Sequence, residues 1–247
     1  MVLLTCLAAR NPGTLTGPGN NTFLLDGAEP TLIDAGVGHP EHLDSLAQAL
    51  GGRMLQRVLV THGHPDHASG VPALRERWPS VEICAWTEGP SADWRTLADG
   101  DEVVAGDQPL TVVHTPGHAA DHVCFWEPVS RGVFCGDMMT ATTTIMVPPA
   151  SRGGNLRAYL ASLRRLAALN PAVAWPGHGE VITDPVGRIN EYLAHRAERE
   201  RQVQACLADG ITDLDLIVAR VYVDTPAPLW PAARLTVEAL LEKLKED

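Results

Sequence analysis

Four side chains that can bind a metal ion stand within six residues of one another, directly after the apolar run 57–60. They are His62, His64, Asp66 and His67. Imidazole and carboxylate groups are the ligands that hold zinc and similar divalent ions in proteins. Because His62 and His64 lie two residues apart, an extended backbone points both rings to the same side, and Asp66 and His67 follow in the next turn. The segment therefore predicts two adjacent metal sites.

Three later turns each carry one further side chain that can bind a metal. His118 follows the apolar run 110–113, Asp137 follows 132–134, and His178 follows 172–174. In each turn a glycine immediately precedes the candidate ligand. Loops at strand ends are where a rigid scaffold usually presents functional side chains. We therefore expect these strand ends to meet at one edge of a sheet and to build one common site.

The His-x-His-x-Asp-His motif and the three later turns together resemble the metallo-β-lactamase superfamily of binuclear metal hydrolases. The resemblance covers essentially the whole chain, including segment 20–22. Within the superfamily, the chain resembles the subgroup called β-lactamase-like protein 2. It implies a mixed α/β (α+β) fold, a four-layer αββα sandwich, with a small C-terminal helical domain of the winged-helix type. We place the catalytic domain at residues 1–184 and the winged-helix-like domain at 185–247.

The resemblance also implies how seven ligands divide between two zinc ions. One ion would be bound by His62, His64 and His118, and the other by Asp66, His67 and His178. Asp137 would bridge the two ions, together with a water or hydroxide. Oxygen-rich bridging also suits manganese or iron, so the donor set alone leaves the metal open among Zn²⁺, Mn²⁺ and Fe.

The ligand set indicates hydrolytic chemistry. Two adjacent divalent ions lower the pKa of a shared water toward neutrality, which supplies hydroxide at physiological pH. Asp66 can orient the attacking water or accept its proton, so it is the catalytic candidate. His122 matches a histidine of the subgroup's pattern, for which a role beside the metals and a structural role are both open. Cys135 is expected to be a buried strand residue that points into the core.

Length, charge and cysteine content limit the class of protein. The chain has 247 residues, 45% of them hydrophobic, and a formal net charge of −11. This suffices for one large domain with a small appendage. No stretch approaches the roughly 18 apolar residues that a membrane span needs, so no membrane partner is expected. The five widely spaced cysteines argue against a disulfide framework and favour the cytoplasm.

The hydrophobic pattern predicts where the elements lie. Segments 21–26 and 31–34 are expected to be strands of a hairpin, and 40–50 and 156–169 to be helices. Beyond residue 185 a long charged helix is expected over 187–207. Thr212 is predicted to cap a second helix, and a third helix is expected over 229–244.

The charge of the C-terminal segment bears on its partners. Residues 188–247 contain eight basic and eleven acidic side chains, a net charge of −3. Winged-helix modules often bind nucleic acid, but such binding normally needs a basic surface. The charge balance therefore favours dimerisation, giving a homo-oligomer through this domain, or covering of the active site. Arg196, Arg199 and Arg201 leave a local basic cluster as the alternative.

Three functions are open for the site. The first is a cytoplasmic metallohydrolase of a small ester, thioester, lactone or lactam. The second is an endoribonuclease cleaving single-stranded RNA, which the subgroup resemblance implies for some relatives and which the negative net charge disfavours. The third is a non-catalytic binding module, which would not need all seven ligands. No tyrosine can be assigned to the metals, because Tyr159, Tyr192 and Tyr222 lie outside the motifs.

Overall fold

A computed structural model describes residues 3–14, 16–86 and 93–246 and builds them around two β-sheets. The first sheet has six strands in the order β1-β2-β3-β4-β5-β6. They are β1 (Leu3–Ala8), β2 (Asn21–Asp26), β3 (Thr31–Ile33), β4 (Arg57–Val60), β5 (Glu82–Ala85) and β6 (Arg95–Thr96). Strands β3, β4 and β5 run parallel, so their carboxyl ends lie at the same edge of the sheet.

The second sheet has five strands in the order β11-β10-β9-β8-β7. They are β7 (Glu102–Ala105), β8 (Gln108–His114), β9 (Val123–Glu127), β10 (Gly132–Gly136) and β11 (Val173–Pro176). Neighbours from β7 to β10 pair antiparallel, whereas β10 and β11 pair parallel. The parallel pair again brings two carboxyl ends to one edge.

Seven α-helices accompany the sheets in the described part of the chain. They are α1 (Pro40–Leu50), α2 (Pro65–Ala68), α3 (Val71–Arg77), α4 (Leu156–Ala168), α5 (Pro185–Ala208), α6 (Leu214–Val221) and α7 (Trp230–Glu246). The helices predicted over 40–50, 156–169, 187–207 and 229–244 are all present, with ends that differ by at most two residues. Across these described residues, the structure has no helix with both the length and the apolar character to cross a bilayer.

Three apolar clusters show that the layers are stacked as helix, sheet, sheet and helix. Between the two sheets, Phe23 and Leu59 of the first face Phe125 of the second. A second cluster packs α1 and α3 on the outer face of the first sheet, and a third packs α4 to α7 on the outer face of the second. Each large apolar side chain buried in this way contributes roughly 1.5–3 kcal/mol to folding. The predicted four-layer αββα sandwich is confirmed.

Two predicted element ends are wrong, each for a local reason. Thr212 does not cap α6; Asp213 does, because its carboxylate accepts a hydrogen bond from the Leu216 amide at 3.0 Å. The strand predicted to reach Asp34 ends at Ile33. Asp34 has a φ of 62°, a left-handed conformation that extended strands do not adopt. This turn points the Asp34 carboxylate away from the ladder and toward the candidate ligands.

His42 in α1 makes the stability of the fold sensitive to acid. The ring is fully buried and lies 2.8 Å from the Thr22 hydroxyl through Nε2. Burial, and then the nearby charge of His39, lower the pKa of His42 from 6.5 to about 4. Because the unfolded chain binds this proton more readily, stability from the neutral ring is present above pH 6.5 and is lost as the pH falls toward 4.

We therefore expect His42→Gln to lose less stability than the wild type between pH 7.5 and pH 5, by up to about 2 kcal/mol. Glutamine places an amide near the position of Nε2 but does not titrate in this range. Urea unfolding of both proteins at pH 7.5 and pH 5, at the same metal concentration, measures the difference. Equal losses in the two proteins would contradict the assignment to His42.

Candidate metal centre

The candidate ligands lie just beyond the carboxyl ends of strands in both sheets. They are His62 and His64 after β4, His118 after β8, Asp137 after β10 and His178 after β11. Asp66 and His67 lie in the four-residue helix α2. Pro65 opens that helix, because the fixed φ of proline suits the first helical position. The folded chain therefore brings loops from both sheets to one edge of the sandwich.

The first group of ligand atoms consists of three ring nitrogens. His64 Nδ1 lies 2.9 Å from His62 Nε2 and 3.0 Å from His118 Nε2. All three nitrogens lie within 4.8 Å of one another. His62 and His118 are buried, and His64 is partly exposed at the mouth of the site. Such a trio is suited to hold one ion.

The second group combines one carboxylate with two rings. Asp66 Oδ2 lies 3.4 Å from His178 Nε2 and 3.6 Å from His67 Nε2. The amide of Asn20 donates a hydrogen bond of 3.1 Å to the same carboxylate oxygen and so holds Asp66 toward the two rings. The three ligand atoms are again within 4.8 Å of one another.

Asp137 spans the two groups. Its Oδ1 lies 3.4 Å from both His67 Nε2 and His178 Nε2, and its Oδ2 lies 3.6 Å from His118 Nε2. One carboxylate oxygen therefore faces each group, which is the arrangement required of a bridging ligand. The structure brings all seven predicted ligands into this one cluster.

Hydrogen bonds on the outer side of the rings determine which nitrogen faces the centre. The Thr61 hydroxyl donates to Asp34 at 3.0 Å, so it accepts from His62 Nδ1 at 3.1 Å and leaves Nε2 with its lone pair. His118 Nδ1 donates to the Met146 carbonyl at 2.9 Å. Outer hydrogen bonds of this kind orient metal-binding rings in proteins. The lone pairs of both rings therefore point inward.

The seven residues fit divalent ions by the chemistry of their donors. Asp137 Oδ1 is buried and makes no hydrogen bond to any residue in the described ranges. A buried carboxylate oxygen without a hydrogen bond is costly unless a cation compensates for its charge. A Cβ at Gly177 would lie 2.6 Å from the His67 ring and 2.9 Å from Asp137 Oδ1, so the loop leaves this space to the ligands.

The charges of the centre follow from burial and from the neighbouring groups. Burial lowers the pKa of His62 and of His64, so both rings are neutral at pH 7. Burial opposes ionisation of Asp66, but the hydrogen bond with His178 and the charge of His67 hold its pKa at about 2. Burial opposes the charge on His178, whereas Asp137 and Asp66 raise its pKa to about 9. The carboxylates are thus ionised, and a bound cation would compete with the protons on the rings.

Asp34 and Asn20 belong to the site, although the motifs did not indicate their roles. Asp34 Oδ2 lies 2.7 Å from His67 Nδ1, and its Oδ1 accepts from the Thr61 amide at 2.8 Å. A signal for Asp34 was present: an acidic residue directly follows β3, whose carboxyl end lies beside that of β4. Asn20 comes from the loop before β2, and nothing in its local sequence indicates a contact with Asp66.

The remaining candidates lie beside the cluster and do not belong to it. His122 accepts a hydrogen bond from the Asp137 amide at 3.1 Å through Nε2 and lies 2.8 Å from the Thr115 hydroxyl through Nδ1, so both nitrogens are occupied. Cys135 is fully buried, with Sγ facing the carbonyls of Met139 and Trp175. His122 therefore supports the backbone of Asp137, and Cys135 is a core residue.

Replacing Asp34 by asparagine is expected to weaken metal binding by about 10- to 100-fold. Asparagine tolerates the left-handed backbone. Its amide, however, lacks the negative charge with which the Asp34 carboxylate holds the proton on His67 Nδ1. Asp26→Asn is the matched control, because Asp26 ends the antiparallel strand β2 and pairs with Arg53. Competition titration with a coloured chelator measures both affinities. Equal affinities in the two variants would contradict the role of Asp34.

Comparisons with known proteins agree with this geometry. Residues 15–178 match the family model described as "Metallo-beta-lactamase superfamily", and residues 214–247 match "Beta-lactamase associated winged helix domain". The second match confirms the predicted winged-helix domain. Helix α5 lies between the two matched regions, so the domain boundary at 184–185 stays a prediction.

Two relatives and one solved structure illustrate the similarity. A beta-lactamase-like protein 2 homolog from Caenorhabditis elegans is 30% identical, over 99% of this chain and 84% of the relative. An atrochrysone carboxyl ACP thioesterase from Cryptosporiopsis sp. is 34% identical, over 80% of this chain and only 61% of its own length. The crystal structure of a beta-lactamase domain protein from Burkholderia ambifaria superposes with a TM-score of 0.87 at 23% identity, covering 98% of this chain and 86% of that one.

The family model spans about two thirds of the chain and includes every candidate ligand from His62 to His178. Together with the sandwich fold and the full-length relative, this confirms the resemblance that the motifs indicated. Members of this family are hydrolases whose fold binds divalent metal ions, and the chain is an enzyme of that kind. The chain belongs to the metallo-beta-lactamase superfamily.

Proposed function

We propose that this chain is a binuclear, zinc-dependent hydrolase that cleaves a small ester or thioester. The observation that carries the proposal is the position of Asp137, whose two carboxylate oxygens face two separate groups of ligand atoms. A single-ion site would need no carboxylate between the groups. A non-catalytic module would not need ligands on both sides of it.

Two zinc ions suit the donors, and suit them better than two magnesium or calcium ions would. Five of the seven donors are imidazoles, which favour zinc, copper, iron and nickel over magnesium or calcium. The first group is His62, His64 and His118, the second is Asp66, His67 and His178, and Asp137 lies between them. Because carboxylates also suit manganese and iron, metal analysis of the protein purified without added metal distinguishes these ions.

When bound, the two ions would supply a hydroxide nucleophile near neutral pH and polarise the carbonyl of the substrate. The chain's own residues orient the reaction. Asp66 is ionised and a quarter exposed, so its carboxylate can accept a hydrogen bond from the attacking water and hold it in line. Asn20 and His178 hold that carboxylate in place. Asp34 keeps the His67 ring in its orientation.

A groove beside the metal centre provides space for the substrate. It has a volume of about 610 Å³ and begins at Gly63 and Pro65, which flank the ligand His64. Most of its lining is apolar, including Val71 and Trp94. An apolar acyl or aryl group fits such a surface, and Arg75, a charged side chain of the lining, is paired with Asp93.

The ester or thioester class is further supported by the relative named as a carboxyl ACP thioesterase. The net charge of −11 disfavours a polyanionic substrate. Lactones and lactams have the same kind of reacting carbonyl, and they belong in the test as competing small substrates.

A panel at equal enzyme concentration tests the proposed substrate class. We expect a thioester and an aryl ester to be hydrolysed at least about tenfold faster, as kcat/KM, than a lactone or a β-lactam, because each factor of ten needs only about 1.4 kcal/mol of selective binding. Single-stranded RNA is expected to stay intact. RNA cleavage that is lost in Asp66→Ala would instead establish the endoribonuclease function and overturn the proposal.

A further inference from the structure

The loop that follows Asp137 is held largely by hydrogen bonds from side chains of other elements. Residues 138–149, here called the ligand loop, form neither helix nor strand. The loop begins directly after Asp137. Near its other end, the Met146 carbonyl accepts the hydrogen bond from His118 Nδ1 at 2.9 Å. The position of this one loop therefore affects two metal ligands at once.

Helix α5 supplies most of the groups that satisfy the ligand loop. Arg188 donates from Nε to the Thr140 carbonyl at 2.8 Å and from Nη2 to the Thr143 carbonyl. Tyr192 accepts from the Thr140 amide at 2.9 Å and donates to the Thr143 carbonyl at 2.8 Å. Arg196 donates to the carbonyl of Ile145. Loop carbonyls without backbone partners need such donors.

The three α5 residues form a regular set. Arg188, Tyr192 and Arg196 are spaced four residues apart, so they lie along one face of the helix. Tyr192 is fully buried and Arg196 is only 2% exposed. We call them the α5 clamp.

Arg196 indicates that the clamp does more than fill space. No carboxylate of the described residues lies within ion-pairing distance of its guanidinium, and its Nε makes no hydrogen bond there. The guanidinium packs 5.9 Å from the centre of the Tyr159 ring, and Tyr159 itself donates to the Met138 carbonyl at 2.6 Å. A buried arginine without a counter-ion is costly, and an apolar side chain of similar volume would usually pack more favourably. The guanidinium of Arg196 donates its hydrogen bond to the carbonyl of Ile145 in the ligand loop.

We propose that the α5 clamp positions the metal centre. By fixing the ligand loop it sets the direction of Asp137 and the hydrogen bond that orients His118, although none of the three residues touches a ligand. This assigns a role to a helix that lies outside both family-matched regions. The inference rests on the proposed metal centre.

Tyr222 offers a matched control for Tyr192. The guanidinium of Arg188 lies 4.7 Å from the Tyr192 ring, and that of Arg199 lies 4.6 Å from the Tyr222 ring. Both rings are buried against the same apolar cluster. Of these two tyrosines, Tyr192 is the one whose hydroxyl bonds to the ligand loop in the described structure. The two Tyr→Phe changes therefore differ in this contact.

Metal binding by the full chain tests the proposal. We expect Tyr192→Phe and Arg188→Lys to bind one of two Zn²⁺ ions about tenfold more weakly in a chelator competition, as for other groups that orient ligands. Their Co²⁺ absorption spectra should shift, and Tyr222→Phe should match the wild type in both measurements. The loss should fall on the ion held by His62, His64 and His118, because the loop reaches His118.

Two results would overturn the proposal that the α5 clamp positions the metal centre. One is an unchanged Zn²⁺ affinity and Co²⁺ spectrum in both variants, with only a lower thermal midpoint of the metal-free protein, which is the signature of a purely structural role. The other is an equal loss in Tyr222→Phe. Failure of the proposed function itself would look different, because the wild type would then bind fewer than two ions.

Discussion

Asp66→Ala is expected to lower kcat by at least about a thousandfold while leaving the chain folded, because the change removes both a metal ligand and the group that orients the attacking water. The carboxylate stays ionised down to about pH 2 in the metal-free protein. Its side chain is partly exposed and makes no contribution to the apolar core. Initial rates on the substrate selected by the panel, with circular dichroism on the same samples, provide the measurement.

Glu102→Gln is the control for removing a carboxylate as such. Glu102 is exposed on the edge strand β7, in the part of the second sheet most distant in strand order from β11. We expect its rate to equal that of the wild type. An Asp66→Ala protein that keeps more than about a tenth of the wild-type rate would remove Asp66 from the mechanism, since general-base groups contribute about 100-fold or more.

Asp137→Asn is expected to lower the rate by a similar factor, because it weakens metal binding. Asparagine keeps the shape of the side chain but not the charge that faces both ligand groups. We expect one of the two ions to be lost at micromolar free metal, and kcat/KM to fall by at least about a thousandfold, since both ions take part in activating and directing the nucleophile. Metal content after gel filtration and the rate on the same sample are measured together.

The outcome for Asp137 also distinguishes bridging from simple ligation. A bridging carboxylate couples the two sites, so its loss should weaken both affinities, one strongly and one moderately. Loss of one ion with no change in affinity for the other would show that Asp137 serves a single ion. Glu127→Gln makes a useful comparison, because Glu127 is a buried carboxylate of the same sheet that caps the turn at Val129 and Ser130.

The clustering of the seven candidate ligands could be predicted from the sequence because they occupy short segments with fixed spacing. The local sequence limits how the first four side chains can be arranged, because two of them are spaced two residues apart on an extended chain and the other two follow a proline that starts a turn. These four are His62, His64, Asp66 and His67. The four-layer fold followed from the same motifs through the resemblance. Helices such as 40–50 were readable from apolar spacing and a proline at the first turn.

The supporting residues could not be predicted in the same way. Asp34 acts through a left-handed turn that no motif encodes, and Asn20 reaches Asp66 from 46 residues away. The α5 clamp binds backbone carbonyls, which every residue has, so its partners leave no pattern in the sequence. Thr212 and Asp213 are both residue types that cap helices well, and it is the Asp213 carboxylate that accepts the hydrogen bond from the Leu216 amide.

A zinc titration of the metal-free protein tests the central claim most directly. Bound zinc per chain and the rate of thioester hydrolysis are followed on the same samples as zinc is added. The account predicts saturation at two ions per chain, with most of the activity appearing as the second ion binds. Full activity at one ion per chain, or activity without bound metal, would contradict a centre in which Asp137 joins two ions.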